Sequence, residues 1–204
     1  MNYYFLNTGN QNFSNGANWS DTDNGTPVNT IPTNADDVFF TINSSNCTVD
    51  ITATVMNVTF TGYNKTMTLN AAFTVQNLLQ VTSGDITWAG NFGFVTKDFI
   101  SLGNTGGTTT LKAGLTYTIR ERYIRTSERG ILHGKVVSSV PGSKAILKVS
   151  GDINIGYVNF TDIDASQGRT LYPFNGVVTR CINIISMTDM IYPPNRTNAK
   201  SFII

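Results

Sequence analysis

Phe73-Thr74-Val75-Gln76-Asn77-Leu78-Leu79-Gln80-Val81 is answered further along by a second run of equal length, Phe94-Val95-Thr96-Lys97-Asp98-Phe99-Ile100-Ser101-Leu102. Both runs are rich in Val, Thr, Leu and Phe and are punctuated by Gly and Asn, which is how strands read. Shorter runs of the same kind lie at Val55 to Thr61, Met67 to Leu69 and Ile86 to Trp88. A step of about 21 from Phe60 reaches Val81, Leu102 and Tyr123, and from Phe73 it reaches Phe94, Leu115 and Val136. The same step from Leu69 gives Gly90, Leu111 and Leu132; from Val58 it gives Leu79 and Ile100, then fails at Glu121.

No stretch holds an apolar period of 3.6 residues over three turns. The most helix-like segment, Ile119 to Glu128, has no sustained apolar face and reads as strand plus turn. A repeat of about 21 residues made of two or three short strands matches one rung of a parallel β-solenoid. Stacked rungs place equivalent side chains about 4.8 Å apart, so similar apolar residues form interior ladders. The expected fold is therefore all-β, a short parallel β-solenoid, right-handed because parallel crossovers are. The alternative is an antiparallel sandwich or jelly roll whose hairpins repeat near that length.

Outward from the repeat, residues 1–40 are polar, dotted with aromatics and rich in turn pairs such as Asn15-Gly16 and Asn24-Gly25. An open first rung would recruit other chains, so this segment is expected to be a cap or docking element. Residues 41–190 form the solenoid, and 191–204 a C-terminal tail in which Tyr192-Pro193-Pro194 halts regular structure. The apolar end Phe202-Ile203-Ile204, together with Trp19, is a candidate for docking on a neighbouring subunit.

The 204 residues are 13% charged with a formal net charge of +1. That is no electrostatic footprint for nucleic acid, and no apolar run is long enough to span a bilayer. Met1-Asn2-Tyr3-Tyr4-Phe5 lacks the basic and apolar regions of a signal peptide, so the expectation is a chain made in a cytoplasm. Cys47 and Cys181 are expected to be buried free thiols rather than a disulfide.

Two stretches carry a family resemblance. Gly16-Ala17-Asn18-Trp19-Ser20, then Ile31-Pro32-Thr33-Asn34-Ala35-Asp36-Asp37-Val38 and Cys47-Thr48-Val49-Asp50, resemble the opening of repetitive β-solenoid proteins found among bacteriophage structural proteins and bacterial surface adhesins. Val158-Asn159-Phe160-Thr161-Asp162-Ile163-Asp164-Ala165-Ser166 resembles a segment closing many of the phage members. Such adhesins normally carry an export signal and run to many hundreds of residues, so the resemblance favours the phage members. It implies a virion protein made in the host cytoplasm, with other virion proteins and copies of itself as partners. The phage members often end in a Gly- and Trp-containing segment, and this chain departs from that.

Chemistry has few places to reside. His133 is the only histidine and has no acidic neighbour in sequence, so it reads as a loop residue and not as part of a triad. One histidine and two distant cysteines cannot build an ordinary zinc site, and no phosphate loop occurs. No cofactor is expected. Asp162 and Asp164 would share one side of a strand, with Arg169 nearby, and Asp36 and Asp37 are adjacent. A glycosidase pair therefore competes with turn capping; capping is the expectation. Arg120, Arg122, Arg125 and Arg129, with Glu121 and Glu128 between them, form the one charged cluster. It is the candidate contact surface, set against internal pairing on a solvated face. The leading expectation is a non-enzymatic bacteriophage structural protein attached to capsid or tail. The runner-up is a carbohydrate-binding or host-surface adhesion module, favoured if Trp19 or Trp88 lines a groove. A polysaccharide-degrading enzyme comes third.

Overall fold

The computed structural model describes residues 1–9, 11–102, 107–127 and 133–187. After a cap containing β1 (Asn2–Phe5) and β2 (Trp19–Ser20), each turn of the chain lays one strand in a first sheet and one in a second. The pairs are β3 (Asp37–Thr41) with β4 (Cys47–Val49), β5 (Ala53–Thr61) with β6 (Thr66–Leu69), and β7 (Phe73–Val81) with β8 (Ile86–Gly90). Then come β9 (Phe94–Leu102) with β10 (Thr108–Leu111), and β11 (Thr116–Thr126) with β12 (Gly134–Ser138). The next turn splits its first-sheet strand into β13 (Ala145–Val149) and β14 (Asp152–Gly156) before β15 (Val158–Thr161); β16 (Ile163–Asp164) and β17 (Val178–Thr179) end the series. The first sheet runs β16-β13-β11-β9-β7-β5-β3-β1-β2 and the second β17-β15-β12-β10-β8-β6-β4, with β14 beside β11. Pairing is parallel except between β1 and β2. The chain is a parallel β-solenoid.

Within each strand, side chains alternate between interior and solvent, as the two-residue period of a strand requires. In the long strands the alternation breaks once, at Met56-Asn57 in β5, Gln76-Asn77 in β7 and Arg120-Glu121-Arg122 in β11. The register shifts at the same places. Each long strand is thus two short ones carried round a corner. Asn57 stitches that corner: its side-chain amide donates to Asp37 (2.6 Å), and its Oδ1 accepts from Asn77 (3.0 Å) and from the Leu78 backbone N–H (3.1 Å).

An aromatic column fills the first turns. Phe5, Trp19, Phe40, Phe60, Trp88, Phe94 and Tyr117 follow one another with ring centroids 4.7–6.1 Å apart, and all seven are buried. Phe40 and Phe60 stack face to face because their positions are paired across the β3–β5 ladder. Beyond Tyr117 the equivalent interior position passes to Leu147, and the interior turns largely aliphatic.

The constant step holds for Phe73 with Phe94 and for Phe60 with Val81, then loses register. Val95 pairs with Thr118, so Tyr117 follows Phe94, while Leu115 lies before β11. Val136 belongs to the second sheet, between Thr109 and Phe160. Tyr123 follows Phe99, and Val81 is followed by Ser101 and Arg125, which leaves Leu102 56% exposed. Leu132 lies outside the described residues. Two causes combine: the corner of β9 is one residue shorter than that of β7, which sets Ser101 on Val81, and beyond β9 the turns lengthen, because only strands are bound to stack and loops between them accept insertions at little cost. Stacked partners therefore move far apart in sequence, as Arg122 and Asp152 do, and draw closer again, as in Phe160 with Val178.

The cap closes both sheets at once. β1 extends the first sheet beside β3, and Asn12 bridges Thr48 to extend the second. Trp19 is fully buried against Phe5, Phe13 and Phe40, with its indole N–H donating to the Phe13 carbonyl at 3.0 Å. It plugs the first rung and offers no surface for docking, which corrects the expectation for this residue. Asp50 holds the cap down through the Ser14 N–H (3.0 Å) and hydroxyl (2.5 Å). The boundary expected at residue 40 falls inside β3. Cys47 and Cys181 are both free thiols.

Replacing Phe94 by Ala is expected to cost about 3–5 kcal/mol in denaturant unfolding, the range for truncating a buried aromatic. Leu102→Ala, placed in the core by a constant step but outside it here, is expected to stay within about 0.5 kcal/mol. Equal losses at the two positions would contradict this register.

Candidate functional site

The arginine cluster does not form one surface. Arg120, Glu121 and Arg122 are exposed because they sit at the corner of β11, and alternation then restarts with Tyr123 inside, Ile124 facing out and Arg125 inside. Arg125 is 2% exposed, so the expectation of a contact residue there is corrected. Its guanidinium donates to Thr109 Oγ1 (2.7 Å) and to the carbonyls of Gly107 (3.1 Å) and Lys135 (3.0 Å). Burial pulls its pKa below the ordinary arginine range. Arg129, like Phe202, Ile203 and Ile204, lies outside the described residues.

Arg122 is tied inward across one turn. Its Nε donates to Asp98 Oδ2 at 3.0 Å and its backbone N–H to Asp98 Oδ1 at 3.1 Å, while Asp98 is itself buried. Beside it, Lys97 lies 3.4 Å from Glu121. Internal pairing therefore accounts for Glu121 and Arg122 at this corner.

The carboxylates that could have served sugar cleavage are likewise engaged. Asp162 is buried with φ of 56° and accepts from Arg180 Nε (2.7 Å), Arg180 Nη2 (2.6 Å) and the Gly142 N–H (3.0 Å). It ties together successive turns on either side of its own. Asp164 Oδ1 accepts from the Ser166 N–H at 2.8 Å, a local turn cap. Burial alone would raise the Asp36 pKa, but the Thr33 hydroxyl and N–H and the Met1 ammonium hold it below the usual range. Asp37 belongs to the corner stitch described above. His133 Nδ1 is 3.1 Å from Asn159 Oδ1, a neutral partner. Trp88 is buried in the aromatic column and lines no groove. Among the described residues no group of three or more His, Cys, Asp or Glu side chains comes together.

A recess lies elsewhere, on the outer surface of the first sheet near its C-terminal end. It is a cleft of about 840 Å³ lined by Arg122, Ile124, Asp152, Ile153, Asn154, Gly168, Arg169, Thr170 and Tyr172. Its floor follows from strand register: Arg122 pairs with Asp152 and Ile124 with Asn154, and these four positions point outward. Its far wall is the segment 168–172. The stretch 168–174 that contains it touches the preceding turn at its two ends, Arg169 N–H to the Val149 carbonyl (2.8 Å) and Phe174 N–H to the Ile155 carbonyl (2.9 Å). Between them it pairs with later residues, through Leu171 N–H to Asn183 and Met187 N–H to Pro173. The chain thereby stands away from β14, and the cleft opens.

Gly151 makes the corner beneath this cleft feasible. A Cβ there would lie 1.8 Å from the Glu121 carbonyl oxygen, so only glycine allows the approach. Arg169 Nη1 donates to the Gly151 carbonyl at 2.9 Å and lies 3.9 Å from Asp152. Sequence reasoning placed Arg169 near the aspartates but missed Asn154 and Tyr172. The available signal was the alternation Asp152-Ile153-Asn154-Ile155 directly after a glycine. Comparison of the chain with family models, curated proteins and solved structures returned no match.

The Arg180 guanidinium, aided by the Gly142 N–H, holds the Asp162 carboxyl down at about 2. A free aspartate titrates at about 3.9. The pairing therefore adds stability that is complete above that value and is lost as pH falls toward about 2. Asp162→Asn is expected to lower the melting temperature at pH 7 and to reduce the loss of stability between about pH 4 and pH 2. A variant that melts like the parent at pH 7 and falls as steeply in acid would show that the pair contributes nothing.

Proposed function

We propose that the chain is a structural module of a bacteriophage virion, attached to capsid or tail, that works by shape and adhesion without catalysis. The observation that carries this is the difference between the solenoid's two ends. At the N-terminal end the cap finishes both sheets, with Phe5, Phe13 and Trp19 buried beneath it. At the other end of the described chain Val177, Ile182, Ile185 and Met187 are exposed on the last turns. Apolar residues exposed on the last turns suit attachment to another protein. The phage setting is supported by the resemblance of Gly16 to Ser20, Ile31 to Val38 and Cys47 to Asp50 to phage solenoid proteins. A role without turnover is supported by the structural engagement of Asp36, Asp37, Asp162 and Asp164.

A second reading, attachment to host-surface carbohydrate, is favoured by the cleft at Tyr172. For the leading one, purified particles analysed by mass spectrometry are expected to contain the chain in fixed ratio to the other virion proteins. Ile185→Asp with Met187→Asp is expected to reduce that ratio severely while shifting the melting temperature of the isolated chain only slightly. A chain missing from purified particles, or one incorporated equally well with both substitutions, would overturn the proposal.

A further inference from the structure

We propose that the cleft between β14 and residues 168–172 is a binding site for a neutral oligosaccharide. The inference rests on the second reading above and gives it a place and a ligand class. Size comes first: about 840 Å³ lies within the usual range for ligand sites, roughly 300–1,000 Å³, and is open enough for a chain of sugar rings to lie along it.

Charge then decides between kinds of ligand. Two arginines reach the cleft, and each is accompanied by a carboxylate: Arg122 by buried Asp98 and Arg169 by Asp152 at 3.9 Å. The local charges cancel, so the cleft presents no net field to attract a polyanion. A phosphate or an acidic glycan would also have to approach Asp152, whose side chain is 91% exposed. A neutral sugar meets no such penalty.

The hydrogen-bonding inventory matches hydroxyl groups. A sugar hydroxyl both donates and accepts; the cleft offers guanidinium donors, a carboxylate acceptor, the Thr170 hydroxyl and the Asn154 amide, which does both. Arg122 and Arg169 are partly fixed by their bonds to Asp98 and to the Gly151 carbonyl, so less side-chain freedom is lost on binding. Tyr172, 48% exposed in the wall, presents an apolar ring face with a polar tip, which suits the C–H face of a pyranose. Ile124 supplies an apolar patch on the floor. The floor sits on strands paired in register, while the wall, in the connection between β16 and β17, is tied by the Arg169 N–H to the Val149 carbonyl and by the Leu171 N–H to Asn183.

The test titrates isotope-labelled full chain with neutral tetrasaccharides (cellotetraose, mannotetraose, chitotetraose and maltotetraose), with tetragalacturonate and with inorganic phosphate. At least one neutral tetrasaccharide is expected to move the Asn154 side-chain amide and Tyr172 ring signals and to bind more tightly than either anion. Tyr172→Ala and Asn154→Ala are each expected to weaken that binding by roughly tenfold, and Arg120→Ala, exposed but outside the cleft, to leave it unchanged. Absence of binding by every neutral tetrasaccharide, tighter binding of either anion, or an equal loss in Arg120→Ala would each overturn the inference. The particle measurement is independent of these outcomes. A chain found in particles that binds none of the sugars sinks the carbohydrate site and leaves the structural role standing; a sugar-binding chain absent from particles does the reverse.

Discussion

Everything in this molecule depends on the in-register stacking of parallel strands. Each turn lies about 4.8 Å above the last, so every interior side chain is packed against its counterpart one turn away. A single turn could not bury its apolar residues alone. The constraint explains why Phe40 stacks on Phe60 and why Val58, Leu79, Phe99 and Tyr123 succeed one another down one line. It acts on polar positions as well. At the corner, the line Asp37, Asn57, Leu78, Asp98, Arg122, Asp152 turns neighbouring side chains into hydrogen-bond and ion-pair partners.

The same constraint sets how far the fold could be read from the chain. The first turns keep a nearly constant spacing and carry large aromatics, so Phe73 with Phe94 and Phe60 with Val81 were legible. Past Phe94 the turns gain residues, and a constant step drifts off the true line. Already inside β9 the corner holds one residue fewer than in β7, and because a slip of one position exchanges inside for outside, a constant step puts Leu102 in the core in place of Ser101. The cleft was illegible for a related reason. Its floor joins Arg122 to Asp152 across one of the lengthened turns, and its opening depends on where segment 168–172 pairs, which no local pattern announces. The motif residues that carry the phage resemblance proved to have structural tasks in this chain: Trp19 plugs the first turn, Asp36 ties down the amino terminus, and Asp50 holds the cap.

Arg125 shows how the stacking rule tolerates an exception. On its line Phe60 and Val81 give way to Ser101 and then to a guanidinium, followed by Ile155. A buried charge is costly unless its donors are met, and here three neutral acceptors meet three of its five N–H groups. Two are the carbonyls of Gly107 and Lys135, which lie at β10 and β12 on adjacent turns of the second sheet. The side chain thus crosses the interior and joins the first sheet to two turns of the second. It does so where the aromatic column ends, so a hydrogen-bonded tie takes over from ring packing in holding the sheets at their separation.

Charge elsewhere is used in the same way, and this bears on what the surface can recognise. Asp98 with Arg122 and Asp162 with Arg180 each join a buried carboxylate to a half-exposed guanidinium on the next turn. Such pairs fix one turn on another but leave little net field outside. A formal net charge of +1 gives the chain little overall charge with which to attract a partner at long range. Selection must come at contact range, from shape, hydrogen bonds and apolar surface. Those are the properties of two features of the described chain: the Tyr172 cleft on its flank and the exposed apolar residues Val177, Ile182, Ile185 and Met187 on its last turns. Because both are carried on turns bound to the same stack, the register of the strands fixes their positions relative to one another.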